Sequence, residues 1–202
     1  MNMERGKDDM ANNEVIQTIP EYIGIIMDGN RRWARENGLP ISQGHREGVQ
    51  TLRKVIKKSI EIGVKYLSVF TLSTDNRSRG VKEMRNLMEL IKANIMKIEE
   101  FKEQNVQVRV IGSRENLSDS LLRLIKKVEA ETADCTGLKL SLVFNYGGQD
   151  EIVSAFNAIL ADSSIEEVSL ELFEKHLFLG DLPEPEVVIR TGGEKRTSGF
   201  SA

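Results

Sequence analysis

The sequence is poor in the features that would mark several common classes of protein. It has a single cysteine, Cys135, so no intrachain disulfide can form. That suits a reducing compartment, and Cys135 reads as a small packing residue. No apolar run approaches the ~18 residues of a membrane-spanning helix. The first residues, Met1 to Thr18, are polar and lack the apolar stretch of a signal peptide, so a frayed tail and a cytoplasmic location are expected. Basic charge is not in excess: 28 Lys and Arg face 31 Asp and Glu, a net charge of −3, which argues against a general nucleic-acid binder. The nucleoside-triphosphate loop GxxxxGK[ST], the dinucleotide fingerprint GxGxxG, HExxH, CxxC and the nucleophile elbow GxSxG are all missing. His45 and His176, the two histidines, lie far apart in the chain. Repeats and low-complexity linkers are absent, and the four prolines are thinly spread.

What remains is an alternation of apolar runs and amphipathic stretches in a 202-residue chain, long enough for one domain with a sizeable core. Short apolar runs predict strands over Tyr22–Met27, Lys65–Leu72, Val106–Ile111, Leu138–Phe144 and Val187–Ile189. Helical spacing predicts a start near Arg31 to Arg35, then helices over Arg46–Ile62, Val81–Lys102, Ser118–Thr132, Asp150–Leu160 and Ser169–His176. Ser118 is a candidate N-cap and Gly63 a C-terminal cap. In the fifth helix Ile152, Val153, Phe156 and Ile159 are expected to face inward. In the long helix after Val81, the stripe Met84, Leu87, Met88, Ile91 and Ile95 reads as core or as the wall of an apolar tunnel. Strands separated by helices imply right-handed crossovers. The expected fold is therefore α/β: one domain over residues 19–202, after the polar tail of residues 1–18, with a mainly parallel central sheet flanked by helices.

Ligands of such sheets bind at the carboxyl ends of the strands. Four loops fall there: Asp28–Arg32, Ser73–Arg79, Asn145–Gly148 and Arg190–Ser198. The first puts Gly29 and Asn30 at a strand-to-helix turn, where backbone N–H groups bind anions, and follows them with Arg31 and Arg32, two bidentate phosphate donors. Asp28 cannot bind phosphate directly, but a carboxylate fits there if it ligates Mg²⁺, a hard cation shared with phosphate oxygens. A capping aspartate with solvated arginines is the alternative. The last loop adds Arg190, Glu194, Lys195, Arg196 and Ser198 around Gly192-Gly193; a solvated loop is the alternative. Two cationic loops at one sheet edge suit two anionic substrates, or one substrate with two phosphates. Tyr146-Gly147-Gly148 reads most simply as a tight turn.

The run IIMDGNRRWA (Ile25 to Ala34) with Gly44-His45 resembles the first signature of the cis-prenyltransferases, which include undecaprenyl diphosphate synthase. The likeness continues in order through FTLSTDNRSR (Phe70 to Arg79), NYGG (Asn145 to Gly148) and VIRTGGEKRTSGF (Val188 to Phe200). The resemblance implies a Mg²⁺-dependent condensation of isopentenyl diphosphate with an allylic diphosphate such as farnesyl diphosphate, making a Z-polyprenyl diphosphate of the undecaprenyl kind. Asp28 would ligate Mg²⁺ and assist departure of the allylic diphosphate, which Gly29, Asn30 and Arg32 would cradle. Trp33 would pack near the substrate or support the loop, and His45 would lie near the diphosphates. Ser73, Asn76 and Arg79 would lie beside the reacting centre, Asn76 as a catalytic candidate, with Thr74 and Arg77 among the substrate-binding candidates of the same stretch. Arg190, Arg196 and Ser198 would hold isopentenyl diphosphate, and the helix after Val81 would wall the tunnel. A homodimer, and peripheral membrane contact through a lipid product, are implied too.

Departures from the family pattern bear on substrate choice. Arg77 stands where the family usually has Trp, Thr71 where a smaller alanine is common, and the run Ile41 to Gly44 lacks an arginine often found there. The family also continues beyond Phe200, through a tryptophan-glutamine stretch and an acidic residue that completes the Mg²⁺ site, so the domain is expected to be C-terminally incomplete. Two alternatives follow: a short-chain or branching relative, and a non-catalytic accessory subunit.

Overall fold

The computed structural model describes residues 18–74, 80–197 and 199. The expected polar tail lies almost wholly outside them. The elements are β1 (Tyr22–Ile26), α1 (Asn30–Glu36), α2 (Ile41–Ile62), β2 (Tyr66–Ser73), α3 (Val81–Ile95), α4 (Ile98–Glu103), β3 (Gln107–Ile111), α5 (Asp119–Glu131), β4 (Lys139–Tyr146), α6 (Gly148–Ala161), α7 (Leu170–His176) and β5 (Val187–Arg190). The five strands form one sheet in the order β3-β4-β2-β1-β5. Every pairing is parallel, as the alternation of strands and helices requires.

Successive side chains of a strand point to opposite faces, so each face of the sheet builds its own core. One is formed by Val69, Leu72, Leu140 and Phe144 with Ile56 of α2, Leu87 and Ile95 of α3, and Leu121, Ile125 and Val128 of α5. The other is smaller: Ile26, Phe70, Ile111, Val143 and Tyr146, with Phe178 and Leu179 packed against them. Tyr146 meets Phe70 edge-on, ring centroids 5.7 Å apart.

Four expectations are corrected by the fold, each for a physical reason. Helix α2 begins at Ile41 rather than Arg46, with Pro40 at its N-cap. The added turn places Gly44 on α1, so close that a Cβ there would sit 2.2 Å from the Asn30 carbonyl oxygen. The expected helix Val81–Lys102 is two, broken at Met96 and Lys97, and both Ile95 and Ile98 are buried on either side of the break. Strand β4 extends through Asn145 and Tyr146, so Tyr146 is a fully buried strand residue and the turn is confined to Gly147. On α6 the inward residues are Glu151, Ala155 and Ile159, while Ile152, Val153 and Phe156 are exposed. Glu151 can face the core because its carboxylate is satisfied there. It accepts the Tyr146 hydroxyl at 2.5 Å and the Phe178 N–H at 2.7 Å.

Two local features aim side chains toward the carboxyl edge. The β2–β4 register shifts between Phe70 and Ser73, and the Thr71 hydroxyl donates to the Val143 carbonyl at 2.9 Å across the irregularity. Asn145 adopts a left-handed φ of 52°. Its amide donates to the Ser113 carbonyl, 2.8 Å away, tying the ends of β3 and β4 together.

Candidate active site

Asp28, Gly29 and Asn30 follow β1, and Arg190 ends β5, the neighbouring strand. The two loops are joined through the Thr191 side chain. Thr191 accepts the Asp28 N–H at 2.9 Å and its hydroxyl donates to the Asp28 carbonyl at 2.6 Å. Gly29 and Gly192 both have left-handed φ, +94° and +84°, and a Cβ on Gly29 would lie 3.1 Å from the Gly192 Cα. Only glycine fits both the conformation and the approach. Arg32 completes the tie by donating to the Gly192 carbonyl at 2.7 Å.

A cavity of about 660 Å³ opens at this junction. Asp28, Gly29, Asn30, Arg31, Arg32, His45, Ser73, Arg190 and Arg196, all expected from sequence, line it together. Trp33 does not. It is 41% exposed, on the outer side of α1. Thr74 also lies outside the lining and packs against Gly147 at the start of α6. Asn76, Arg77, Arg79 and Ser198 lie outside the described residues.

Arg190 donates to Asp28 Oδ2 from Nη2 at 2.6 Å and from Nε at 3.2 Å. The Gly29 N–H donates to Oδ1 at 2.7 Å. Partial burial pushes the Asp28 carboxyl upward. The hydrogen bonds from Arg190 and Gly29, with the charges of Arg190 and Arg32, outweigh it and hold the group below the ordinary carboxylate range. Glu194 lies 3.9 Å from Arg32 and 3.3 Å from Arg196. Five arginines line the cavity, so it is locally cationic on a chain of net charge −3.

Sequence reasoning missed Arg35, Thr191 and Glu83. Arg35 lies one helical turn beyond Arg31 and lines the same cavity, a spacing that an i, i+4 reading of α1 would have caught. Glu83, in the first turn of α3, comes within 3.4 Å of Arg31 Nε and 3.8 Å of His45 Nε2. Nothing local in the sequence marks it, because the partners belong to α1 and α2.

A second cavity, also about 660 Å³ and mostly apolar, runs between α2, α3 and the sheet. Its walls include Leu52, Ile56, Ile95, Leu142 and Phe144. Val49, Thr71 and Ile91 line both cavities, so a cationic mouth leads to an apolar interior. The stripe on α3 therefore serves both readings. Leu87 and Ile95 are buried in the core, and Ile91 faces the cavities.

A doubly covered parallel sheet thus gathers five arginines at its carboxyl edge, beside a mostly apolar cavity. A prenyltransferase family model, that of undecaprenyl diphosphate synthases, matches residues 26–202. The chain is 42% identical over 183 residues to an isoprenyl transferase of Neisseria meningitidis serogroup B, covering 90% of this chain and 73% of that protein. To an isoprenyl transferase of Bacillus anthracis it is 40% identical over 207 residues, covering 97% of this chain and 80% of the relative. The crystal structure of lavandulyl diphosphate synthase from Lavandula x intermedia, in complex with dimethylallyl diphosphate, superposes with a TM-score of 0.85 at 29% identity, over 90% of this chain and 81% of that one. The chain belongs to the cis-prenyltransferase family, the isoprenyl transferases related to undecaprenyl diphosphate synthase.

Proposed function

We propose that this protein condenses isopentenyl diphosphate with an allylic prenyl diphosphate such as farnesyl diphosphate, in a Mg²⁺-dependent reaction that yields a Z-polyprenyl diphosphate of the undecaprenyl type. The observation that carries this reading is the sharing of Val49, Thr71 and Ile91 between the cationic cavity and the apolar one. A diphosphate and its hydrocarbon tail need those two environments in sequence.

Among the described residues Asp28 is the carboxylate that lines the cationic cavity, and it suits a hard cation. Among the described residues no group of three or more His, Cys, Asp or Glu is placed to hold a metal. Mg²⁺ commonly takes one or two carboxylates and completes its shell with substrate phosphates and water. When bound it would neutralise charge on the departing diphosphate. The chain's own groups do the rest. Arg31, Arg32 and the Gly29–Asn30 backbone hold the allylic diphosphate, and Arg190 and Arg196 hold the homoallylic one. When the allylic C–O bond breaks, its electron pair leaves with the diphosphate, where the arginines stabilise it. The isopentenyl double bond then forms the new C–C bond, and loss of a proton leaves the Z alkene. Asn76, Arg79 and Ser198 are assigned here on the family motif alone. The apolar cavity keeps water from the carbocation.

A short-chain or branching reaction is the second reading. It is favoured by Thr71, which lies where the two cavities meet, and by the 0.85 TM-score to a lavandulyl diphosphate synthase. A homodimer is supported by the exposed apolar residues Val187, Val188 and Ile189 of β5 and Val153 and Phe156 of α6. Sedimentation would read it directly. Among the described residues no helix is long and apolar enough to cross a membrane, so membrane contact is proposed only through a lipid product.

The experiment is incorporation of radiolabelled isopentenyl diphosphate with geranyl or farnesyl diphosphate as primer, with and without Mg²⁺, sized by chromatography. Long Z products that need Mg²⁺ support the leading reading. One short or branched product supports the second, and no product with any primer refutes both.

A further inference from the structure

Asp28 is the carboxylate that lines the cationic cavity, yet its Oδ2 already carries a partner. Arg190 grips it with Nη2 at 2.6 Å and Nε at 3.2 Å. The guanidinium is held from its other side too, because Nη1 donates to the Arg196 carbonyl at 2.5 Å. Its side chain is 11% exposed and that of Asp28 34%, so water screens the pair only in part. Asp28 Oδ1 in turn accepts the Gly29 N–H at 2.7 Å. Lone pairs remain on the carboxylate, but a cation bound to them would sit beside a fixed positive charge.

The fork that fits a carboxylate fits a phosphate equally well, and a diphosphate carries more negative charge to offer it. Arg190 thus has two alternative partners that differ in charge and share a geometry.

We propose that Arg190 acts as a gate on the metal site: it holds Asp28 as an ion pair until a diphosphate takes the guanidinium, and only then is the carboxylate released to a divalent cation. This rests on the reading of the cavity as a diphosphate site and adds an order to it. Diphosphate and metal binding become coupled through one exchange of partners, in which no covalent bond is made or broken. Linkage makes the coupling reciprocal, and couplings of this kind run at roughly 5–150-fold in affinity. Arg190 is here a positioning residue for the metal as well as a substrate-binding one.

The test measures metal binding in the full chain without any diphosphate, using Mn²⁺ titrations followed by electron paramagnetic resonance. Arg190→Gln removes the charge and the fork. It is expected to bind Mn²⁺ about tenfold or more tightly than the wild type. Arg196→Gln removes a nearby arginine that does not pair with Asp28, and its Mn²⁺ affinity is expected to stay within about twofold of wild type, the span of ordinary context effects. Adding Asp28→Asn to the Arg190→Gln chain is expected to erase the gain. Arg190→Lys keeps the charge but not the fork, and a smaller gain of the same sign is expected from it. That variant also carries the test if Arg190→Gln does not fold, as judged by its thermal transition.

Unchanged or weaker Mn²⁺ binding by the position-190 variants overturns the gate. An equal gain from Arg196→Gln also overturns it, because general charge removal would then account for the effect. Product assays report separately: prenyl transfer with no gain at position 190 sinks the gate alone, whereas the gain without transfer sinks the proposed reaction.

Discussion

Replacing Glu151 with alanine tests whether a buried carboxylate holds the smaller core together. The side chain is 2% exposed and accepts two hydrogen bonds, from the Tyr146 hydroxyl and the Phe178 N–H. Truncation strands both donors, at about 1–3 kcal/mol each. The loss of one buried methylene adds about 0.8 kcal/mol. Relief of the carboxylate's own desolvation acts in the opposite direction and offsets part of this. The net expectation is a loss of about 2–4 kcal/mol out of a typical total of about 5–15 kcal/mol. For a chain of this size each kcal/mol moves the Tm by about 2–4 °C, so the drop is about 4–16 °C. Glu151→Gln keeps the volume and one acceptor, and should lose only about 1 kcal/mol. Urea unfolding of the three proteins at one pH, with calorimetry for the Tm, gives both numbers. Equal stability of the alanine variant and the wild type would refute the reasoning, because the carboxylate's desolvation would then cancel both hydrogen bonds.

Other perturbations reach the site directly. Gly192→Ala puts a Cβ 3.0 Å from the Gly29 nitrogen at a φ of +84°, and should raise the KM for isopentenyl diphosphate while costing about 1–2 kcal/mol of stability, read from steady-state kinetics and unfolding. Asp28 has a folded-state pKa below its ordinary value of 3.8. Its contribution to stability is therefore present above that value and lost as the pH falls through the folded pKa. Wild type and Asp28→Asn should differ at pH 7 and converge as the pH falls below 3.8 in denaturant titrations. Ile91→Trp narrows the junction of the two cavities and should shorten the products, seen in their chromatographic size.

Much of this was legible in the chain because parallel strands announce themselves as short apolar runs and place chemistry at one edge. That is why Asp28 and Arg32 of one loop and Arg190 of another, distant in sequence, were expected together and line one cavity. Boundaries were less legible where tertiary contact decides them. Pro40 starts α2 because the added turn seats Gly44 on α1, a contact that composition does not reveal. The apolar residues Ile152, Val153 and Phe156 suggested the wrong face of α6, because a polar Glu151 turns inward to meet Tyr146 and Phe178. Glu83 was invisible for a related reason, since its partners Arg31 and His45 come from other helices.

The central claim is tested most directly by transfer of radiolabelled isopentenyl diphosphate to farnesyl diphosphate, comparing wild type with Asp28→Ala, each with Mg²⁺ and with chelator. The account predicts labelled Z-polyprenyl diphosphate from the wild type with Mg²⁺. With chelator or with the alanine variant, turnover should fall by about 100-fold or more, a loss of some 3 kcal/mol in transition-state stabilisation. Undiminished product from Asp28→Ala, or from the wild type in chelator, would contradict it.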